Sequence, residues 1–308
     1  MNDNTKTSPL CQRMIEDMQM RKFTEATQKD YIRAVKRLTQ YLGRPPEQAT
    51  REDLRNFQIY LTNNGTSNAV INNIVSGLRF FYRVTLDSYK TIEKINHVPV
   101  PRKLPIVLTA DEVSRMIQVS TPKYQAAFAI AYGAGLRVSE IASLTIGDID
   151  SQKMLIHVQQ GKGRKDRFAL LSPALLDKLR DWWKYAWTNH MILRDGWLFP
   201  GQNPINPVST RTLGRVCVAA AKKAHIKKHV TMHLLRHSFA THLLENKVDI
   251  RVIQVLLGHA RLSSTELYTQ VATDLLKQVI SPIESLTSLK PEKTITKKKR
   301  GRPKKVSE

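Results

Sequence analysis

Three residue types with reactive potential cluster between positions 233 and 268. The stretch reads His233-Leu234-Leu235-Arg236-His237, then Leu257-Gly258-His259, then Tyr268 nine residues further on. Arginine presents a planar fork of donors that matches two phosphate oxygens and stays protonated at any usable pH. Histidine donates a hydrogen bond or a proton near neutrality. A tyrosine hydroxyl, with an ordinary pKa of about 10, attacks only where its proton can leave and a cationic pocket favours the oxyanion. Together these types suit phosphoryl transfer onto a protein nucleophile.

Further candidates lie upstream. Gly135-Leu136-Arg137-Val138-Ser139-Glu140 follows a mostly apolar run around residues 124 to 132, so the Gly-Ala-Gly break at 133 to 135 sets Arg137 at the mouth of a short helix. Glu140, one turn on, can orient that guanidinium; the alternative is an ordinary surface ion pair. Residues 154–158 and 167–171 are short apolar runs around Gly161-Lys162-Gly163-Arg164-Lys165-Asp166, which predicts a β-hairpin with a basic tip. A lysine on such a tip can enter a minor groove and protonate a leaving oxygen. Lys162 and Lys165 both stand there. His225, His229, His233 and His237 recur every four residues and raise a metal site as an alternative, but Thr231 reads as a helix N-cap that splits the ladder, and no acidic or cysteine ligand interleaves it.

His233-x-x-Arg236, Leu257-Gly258-His259 and Tyr268, preceded by the Arg137 and Lys162 motifs, resemble the tyrosine recombinases of the phage-integrase and Xer-like family. The resemblance runs from roughly residue 10 to 285. It implies a mainly helical chain with a small β-hairpin or sheet: an N-terminal helical core-binding, SAM-like domain (residues 1–90), a linker (91–108) and an α+β catalytic domain (109–285); beyond it, composition alone predicts a disordered basic tail (286–308). The resemblance also implies roles. Tyr268 becomes the nucleophile that forms a 3′-phosphotyrosyl bond, Arg137 and Arg236 hold the non-bridging oxygens, and Lys162 is the general acid. His233 and His259 donate hydrogen bonds or assist proton transfer. Neither ATP nor any cofactor or metal is called for, because the covalent bond conserves the energy of the phosphodiester. Double-stranded DNA with two recombination sites is the implied partner, with four protomers assembled on it. Where the family usually has proline before the first histidine, this chain has Met232.

Composition agrees with a polyanionic partner. The 308 residues carry 49 Lys and Arg against 26 Asp and Glu, a formal charge of +23, which points to nucleic acid first. The two cysteines, Cys11 and Cys217, lie far apart without metal-ligand spacing, so a reducing, cytoplasmic and nucleoid-associated setting is expected. No stretch approaches the roughly 20 apolar residues of a membrane span, and none is expected.

Four short helices should precede the linker. Ser8-Pro9 caps the first, with Leu10, Met14 and Met18 on one face; Thr27 is expected to cap the second, over Tyr31, Val35, Leu38 and Leu42, ended by Gly43. Thr50 to Asp53 forms a capping box for the third, and Ser67 starts the fourth. From this stretch alone a bundle with solvated basic faces suffices; the resemblance makes it a domain that clasps one side of a duplex. The proline-spaced segment 98–105 reads as the tether. Thr109-Ala110-Asp111-Glu112 is a capping box that opens the second domain. Ser172-Pro173 caps a helix whose Leu175, Leu176, Leu179, Trp182 and Trp183 are read as core, and a loop spans 195 to 207. Residues 272–283 form an apolar segment that either docks on a neighbouring protomer, as the family implies, or packs on its own domain. The tail from 290 to 308 holds +7 of the +23, and its Arg300-Gly301-Arg302-Pro303 resembles an AT-hook for a narrow A·T minor groove.

The function expected from the resemblance is site-specific DNA recombination or integration for a mobile genetic element. Xer-type dimer resolution, relaxation of the type IB topoisomerase kind and a catalytically idle DNA-binding protein stand as alternatives.

Overall fold

The computed structural model describes residues 8–93, 95–101, 106–159, 166–258 and 279–286. The described chain is mostly helical with one small sheet, and it divides into two compact units at residues 104 and 105.

The first unit is a helical bundle. Helices α1 (Pro9–Met20), α2 (Glu25–Leu42), α3 (Arg51–Asn63) and α4 (Asn68–Phe80) follow the periodicity of their apolar residues. The caps explain the boundaries: Ser8 accepts from the Cys11 amide, and Thr50 and Asp53 form a reciprocal capping box. Thr24, not Thr27, caps α2; its hydroxyl accepts from the Thr27 amide, so Thr27 lies inside the first turn. The helical pattern hid this because Thr24 and Thr27 are both good caps and only Glu25 and Ala26 separate them. Gly43, left-handed at φ 63°, ends α2. After α4 the chain widens into a π-helical turn, residues 81–85, and a short α5 (Tyr89–Ile92). Met14, Met18, Leu38, Leu54, Phe57, Leu78, Ile92 and Ile95 share one core.

The second unit is built round α7 (Pro122–Gly133), whose residues from Ala126 to Gly133 are all buried. Its alanines let α6 (Ala110–Gln118), α9 (Pro173–Thr188) and α11 (Met232–Glu245) pack against it. The short α8 (Val138–Ala142) leads to a three-stranded antiparallel sheet of β1 (Ile149–Asp150), β2 (Leu155–Val158) and β3 (Arg167–Leu170), in that order. In the β2 and β3 hairpin Ile156 pairs with Ala169 and Val158 with Arg167. Helices α10 (Thr210–Lys223) and α12 (Ile250–Leu257) complete the unit. Helix α10 lies outside the expected helices, although Ser209 caps it and Leu213, Cys217, Ala220 and Ala221 line its buried face.

Trp183 corrects the expectation for α9. Trp182 is buried and bonds the Leu198 carbonyl, whereas Trp183 is 39% exposed and stacks on Trp187 one turn on, with ring centroids 5.8 Å apart. Adjacent residues on a helix point about 100° apart, so a narrow buried stripe cannot take both indoles.

Of the apolar segment at 272–283, residues 279 to 283 are described. Ile283, on the 3-10 turn Pro282–Ser285, is fully buried against its own unit, and the Ser281 hydroxyl donates to the Gly133 carbonyl. This end therefore packs in cis. No helix among the described residues is long and apolar enough to cross a membrane.

Candidate active site

Three elements of the second unit bring their arginines to one carboxylate. Arg137 is the N-cap of α8, and its backbone amide donates to Glu140 Oε2 at 2.7 Å while its guanidinium donates to Oε1 at 2.8 Å. Arg167, the first residue of β3, donates through Nη2 to Oε2 at 2.7 Å. Arg236, from the second turn of α11, lies 3.8 Å from the same oxygen. Glu140 is only 6% exposed. A buried carboxylate is costly unless paired and hydrogen-bonded. Burial alone would raise the Glu140 carboxyl, but the Arg167 charge and the Arg137 amide and guanidinium hold it below the usual glutamate range.

Arg236 is fixed at both prongs. Its Nη1 donates to the Gly135 carbonyl and its Nη2 to the Leu257 carbonyl, each at 2.6 Å, and the residue is 3% exposed. Leu257 is the last residue of α12, where helix carbonyls lack partners inside the helix and favour a cation. Burial, with the nearby Arg137, pushes the Arg236 guanidinium down to about 10, so it remains a cation at neutral pH. Three guanidinium groups around one carboxylate leave an excess of two positive charges in a largely dehydrated corner. Arg137 is the least enclosed, with 24% of its side chain exposed.

The glycines shape this corner. Gly135 has φ +64°, and a Cβ there would sit 2.6 Å from the Phe239 ring and 3.1 Å from Leu257. Gly135→Ala should therefore combine left-handed strain, about 1–2 kcal/mol, with overpacking, about 1–3 kcal/mol. Urea titration followed by tryptophan fluorescence should show the midpoint falling accordingly. An unchanged midpoint would mean that the Gly135 turn tolerates a side chain and does not fix the Arg236 acceptor.

His233 stands on the first turn of α11, exposed, with Thr231 as the cap: the Thr231 hydroxyl accepts from the Leu234 amide. Met232, where the family usually has proline, is buried in the core, so the helix start is anchored by packing. Burial, followed by the charges of Arg236, His237 and Arg137, lowers the His233 imidazole below its ordinary value. His233 is thus favoured as a neutral group beside the cationic corner, able to donate or accept one proton. The four-residue histidine ladder is broken: His225 and His229 precede the cap, and His225 takes a left-handed conformation at φ 55°. His242 Nδ1 lies 2.8 Å from the Tyr132 hydroxyl, a packing role. No group of three or more metal-ligating side chains occurs among the described residues.

The structure thus brings together Arg137, His233 and Arg236 of the expected set. Lys162, His259 and Tyr268 lie outside the described residues, as do Arg300, Gly301, Arg302 and Pro303. Arg167 is the participant that sequence reasoning missed. A signal was present: Arg167 alternates with Ala169 and Leu171, which puts it on the inward face of its strand, and an inward arginine demands a partner.

Comparison with known proteins gives the class. The phage integrase family matches residues 107–274, and the N-terminal SAM-like domain of phage integrases matches residues 10–91. A putative integrase/recombinase of Sinorhizobium fredii is 42% identical over 282 residues, covering 91% of this chain and 90% of its own length. The tyrosine recombinase XerA of Pyrococcus horikoshii is 35% identical over 260 residues, covering 83% of this chain and 89% of its own. Among solved structures, lambda integrase, crystallised as a tetramer bound to a Holliday junction, aligns with a TM-score of 0.66 at 18% identity, over 84% of this chain and 79% of that one, a likeness of fold alone. This chain belongs to the phage integrase family of tyrosine recombinases, which are site-specific DNA recombinase enzymes.

Proposed function

We propose that this recombinase cleaves and rejoins duplex DNA through a 3′-phosphotyrosyl intermediate in the service of a mobile genetic element. The observation that carries the reading is the convergence of Arg137 and Arg236, with Arg167, on the buried Glu140. Such a corner holds more positive charge than its one carboxylate neutralises and is pre-set for an anion, and preorganised donors of this kind stabilise charge that develops in a transition state. In the proposed reaction the Tyr268 oxygen attacks the scissile phosphorus, the bond to the 5′-oxygen breaks, and Lys162 gives that oxygen its proton. Arg137 and Arg236 bind the non-bridging oxygens, and His233 and His259 supply hydrogen bonds or relay a proton. A 5′-hydroxyl from a second site then attacks the phosphotyrosine and releases Tyr268. Two DNA sites and four protomers fit this exchange, in keeping with the lambda integrase tetramer on its junction. The Arg300-Gly301-Arg302-Pro303 tail adds a minor-groove grip.

Lys162 provides the test. A bridging 5′-phosphorothiolate leaves without needing a proton, so it should restore cleavage to Lys162→Ala by at least about tenfold relative to the ordinary phosphate, since general acid catalysis contributes about 10²–10⁴-fold. It should not restore Arg236→Ala. Recombination sites taken from inverted repeats around the gene supply the substrate. Rescue of Lys165→Ala but not of Lys162→Ala would transfer the role by three residues, and rescue of neither would remove a lysine acid from the mechanism. The Xer-type alternative is favoured by the likeness to XerA. It predicts a site elsewhere on a replicon rather than at the ends of an element.

A further inference from the structure

We infer that Arg167 is a positioning residue for strand cleavage, tying the β-hairpin, the Glu140 carboxylate and the end of α12 into one unit that sets the phosphate-binding arginines. The inference rests on the recombinase reading above.

Arg167 touches all three elements at once. Its backbone belongs to β3, where it pairs with Val158; its Nη2 donates to Glu140 Oε2 at 2.7 Å; its Nη1 reaches the Leu256 carbonyl at 3.5 Å. Only 14% of the side chain is exposed, and Nε is buried without a partner. An orphaned buried donor is unfavourable, so packing and the two Nη contacts hold the guanidinium where it is. Gly258, left-handed at φ +62°, completes the seat: a Cβ there would come within 2.6 Å of both Cδ and Nε of Arg167. The absence of a side chain at Gly258 is what lets the α12 terminus approach this arginine.

The charge arrangement assigns the role. Glu140 faces Arg137 from its own helix, Arg167 from β3 and Arg236 from α11. With Arg137 and Arg236 meant for substrate, Arg167 is the counter-ion that can stay with Glu140 when phosphate draws on the other two. It keeps the carboxylate charged, and the charged carboxylate keeps Arg137 in register. The residue acts through its neighbours, so it should alter the rate of cleavage without altering DNA affinity.

The experiment uses the full chain and a nicked suicide duplex, on which cleavage is irreversible. Arg167→Met should slow single-turnover cleavage by about 10²-fold, a typical cost of misplacing a reacting group, with DNA Kd within about twofold of wild type, a change of less than about 0.5 kcal/mol. Its rate should also fall more steeply than that of wild type as pH drops below neutrality, because loss of the Arg167 charge weakens what holds the Glu140 carboxyl down against burial, and protonation then releases Arg137. Adding Glu140→Gln should remove this pH dependence, and Arg167→Lys should recover part of the rate. A merely structural role predicts uniform loss, no new acid limb and no coupling to Glu140→Gln. Wild-type rates and a pH profile parallel to that of wild type in Arg167→Met, in a preparation whose wild type forms adduct, would overturn the inference alone; absence of adduct in wild type would overturn the recombinase reading on which it stands. Circular dichroism checks folding, and if Arg167→Met does not fold, the Arg167→Lys profile and its coupling to Glu140→Gln decide.

Discussion

Arg236→Ala should lose at least about 10²–10³-fold in cleavage rate, the cost of removing one preorganised oxyanion donor, and should also be less stable than wild type. The two losses have separate origins. Catalytically, the substitution removes a guanidinium whose position is fixed by the Gly135 and Leu257 carbonyls at 2.6 Å each, so the phosphate loses a donor that needs no reorganisation. Structurally, those two carbonyls are left in a buried corner without their partner, at about 1–3 kcal/mol each, partly offset by relief of repulsion from Arg137 and Arg167. The net expectation is a fall of about 2–4 kcal/mol in unfolding free energy, read by urea titration. Arg236→Lys discriminates between charge and geometry. Lysine keeps the cation but lacks a planar fork that reaches two carbonyls, so it should cleave almost as poorly as alanine. A lysine variant that cleaves at the wild-type rate would mean that Arg236 supplies only charge, and the fixed-fork account would fail.

Much of this arrangement was legible in the residues, for reasons that differ from place to place. Capping boxes at Thr50 and Thr109, and the bond from the Arg137 amide to the Glu140 carboxylate, are local: a side chain and an amide three residues away decide them, and they could be read or, for Arg137, half-read through its Glu140 partner. The hairpin around residues 154–171 was legible from two apolar runs and a glycine-flanked tip. Thr24 against Thr27 was not, because two hydroxyls three residues apart compete for one helix start. Helix α10 escaped because its buried face is largely alanine and cysteine, which give a weak apolar period. The role of Arg167 depends on contacts with Glu140, 27 positions earlier, and with Leu256, 89 positions later. Such pairs are set by the way helices pack round α7, and strand alternation could indicate only that the arginine faces inward.

Arg137, Arg236 and Arg167 all meet Glu140, yet their burial differs: Arg236 and Arg167 are anchored on carbonyls at the end of α12, whereas Arg137 keeps a quarter of its side chain open. A clamp with two rigid members and one more accessible member can admit a phosphate without first breaking its own frame. His233, held toward the neutral form by partial burial and then by its cationic neighbours, can contribute a hydrogen bond without adding a further fixed charge. What the clamp cannot supply is a nucleophile, and the sequence offers Tyr268 nine residues past His259 for that task.

Tyr268→Phe removes one oxygen and nothing else, so it isolates the central claim. On a nicked suicide duplex carrying the recombination site, wild type should accumulate a protein–DNA adduct that survives denaturing electrophoresis, and protease digestion followed by mass spectrometry should place the nucleotide on the peptide containing Tyr268. Tyr268→Phe should bind the same duplex with Kd within about twofold, because a single phenolic hydroxyl is a small part of a phosphate-dominated interface, and should give no adduct at all. An adduct that persists in Tyr268→Phe, or one mapped to another residue of wild type, would contradict the account.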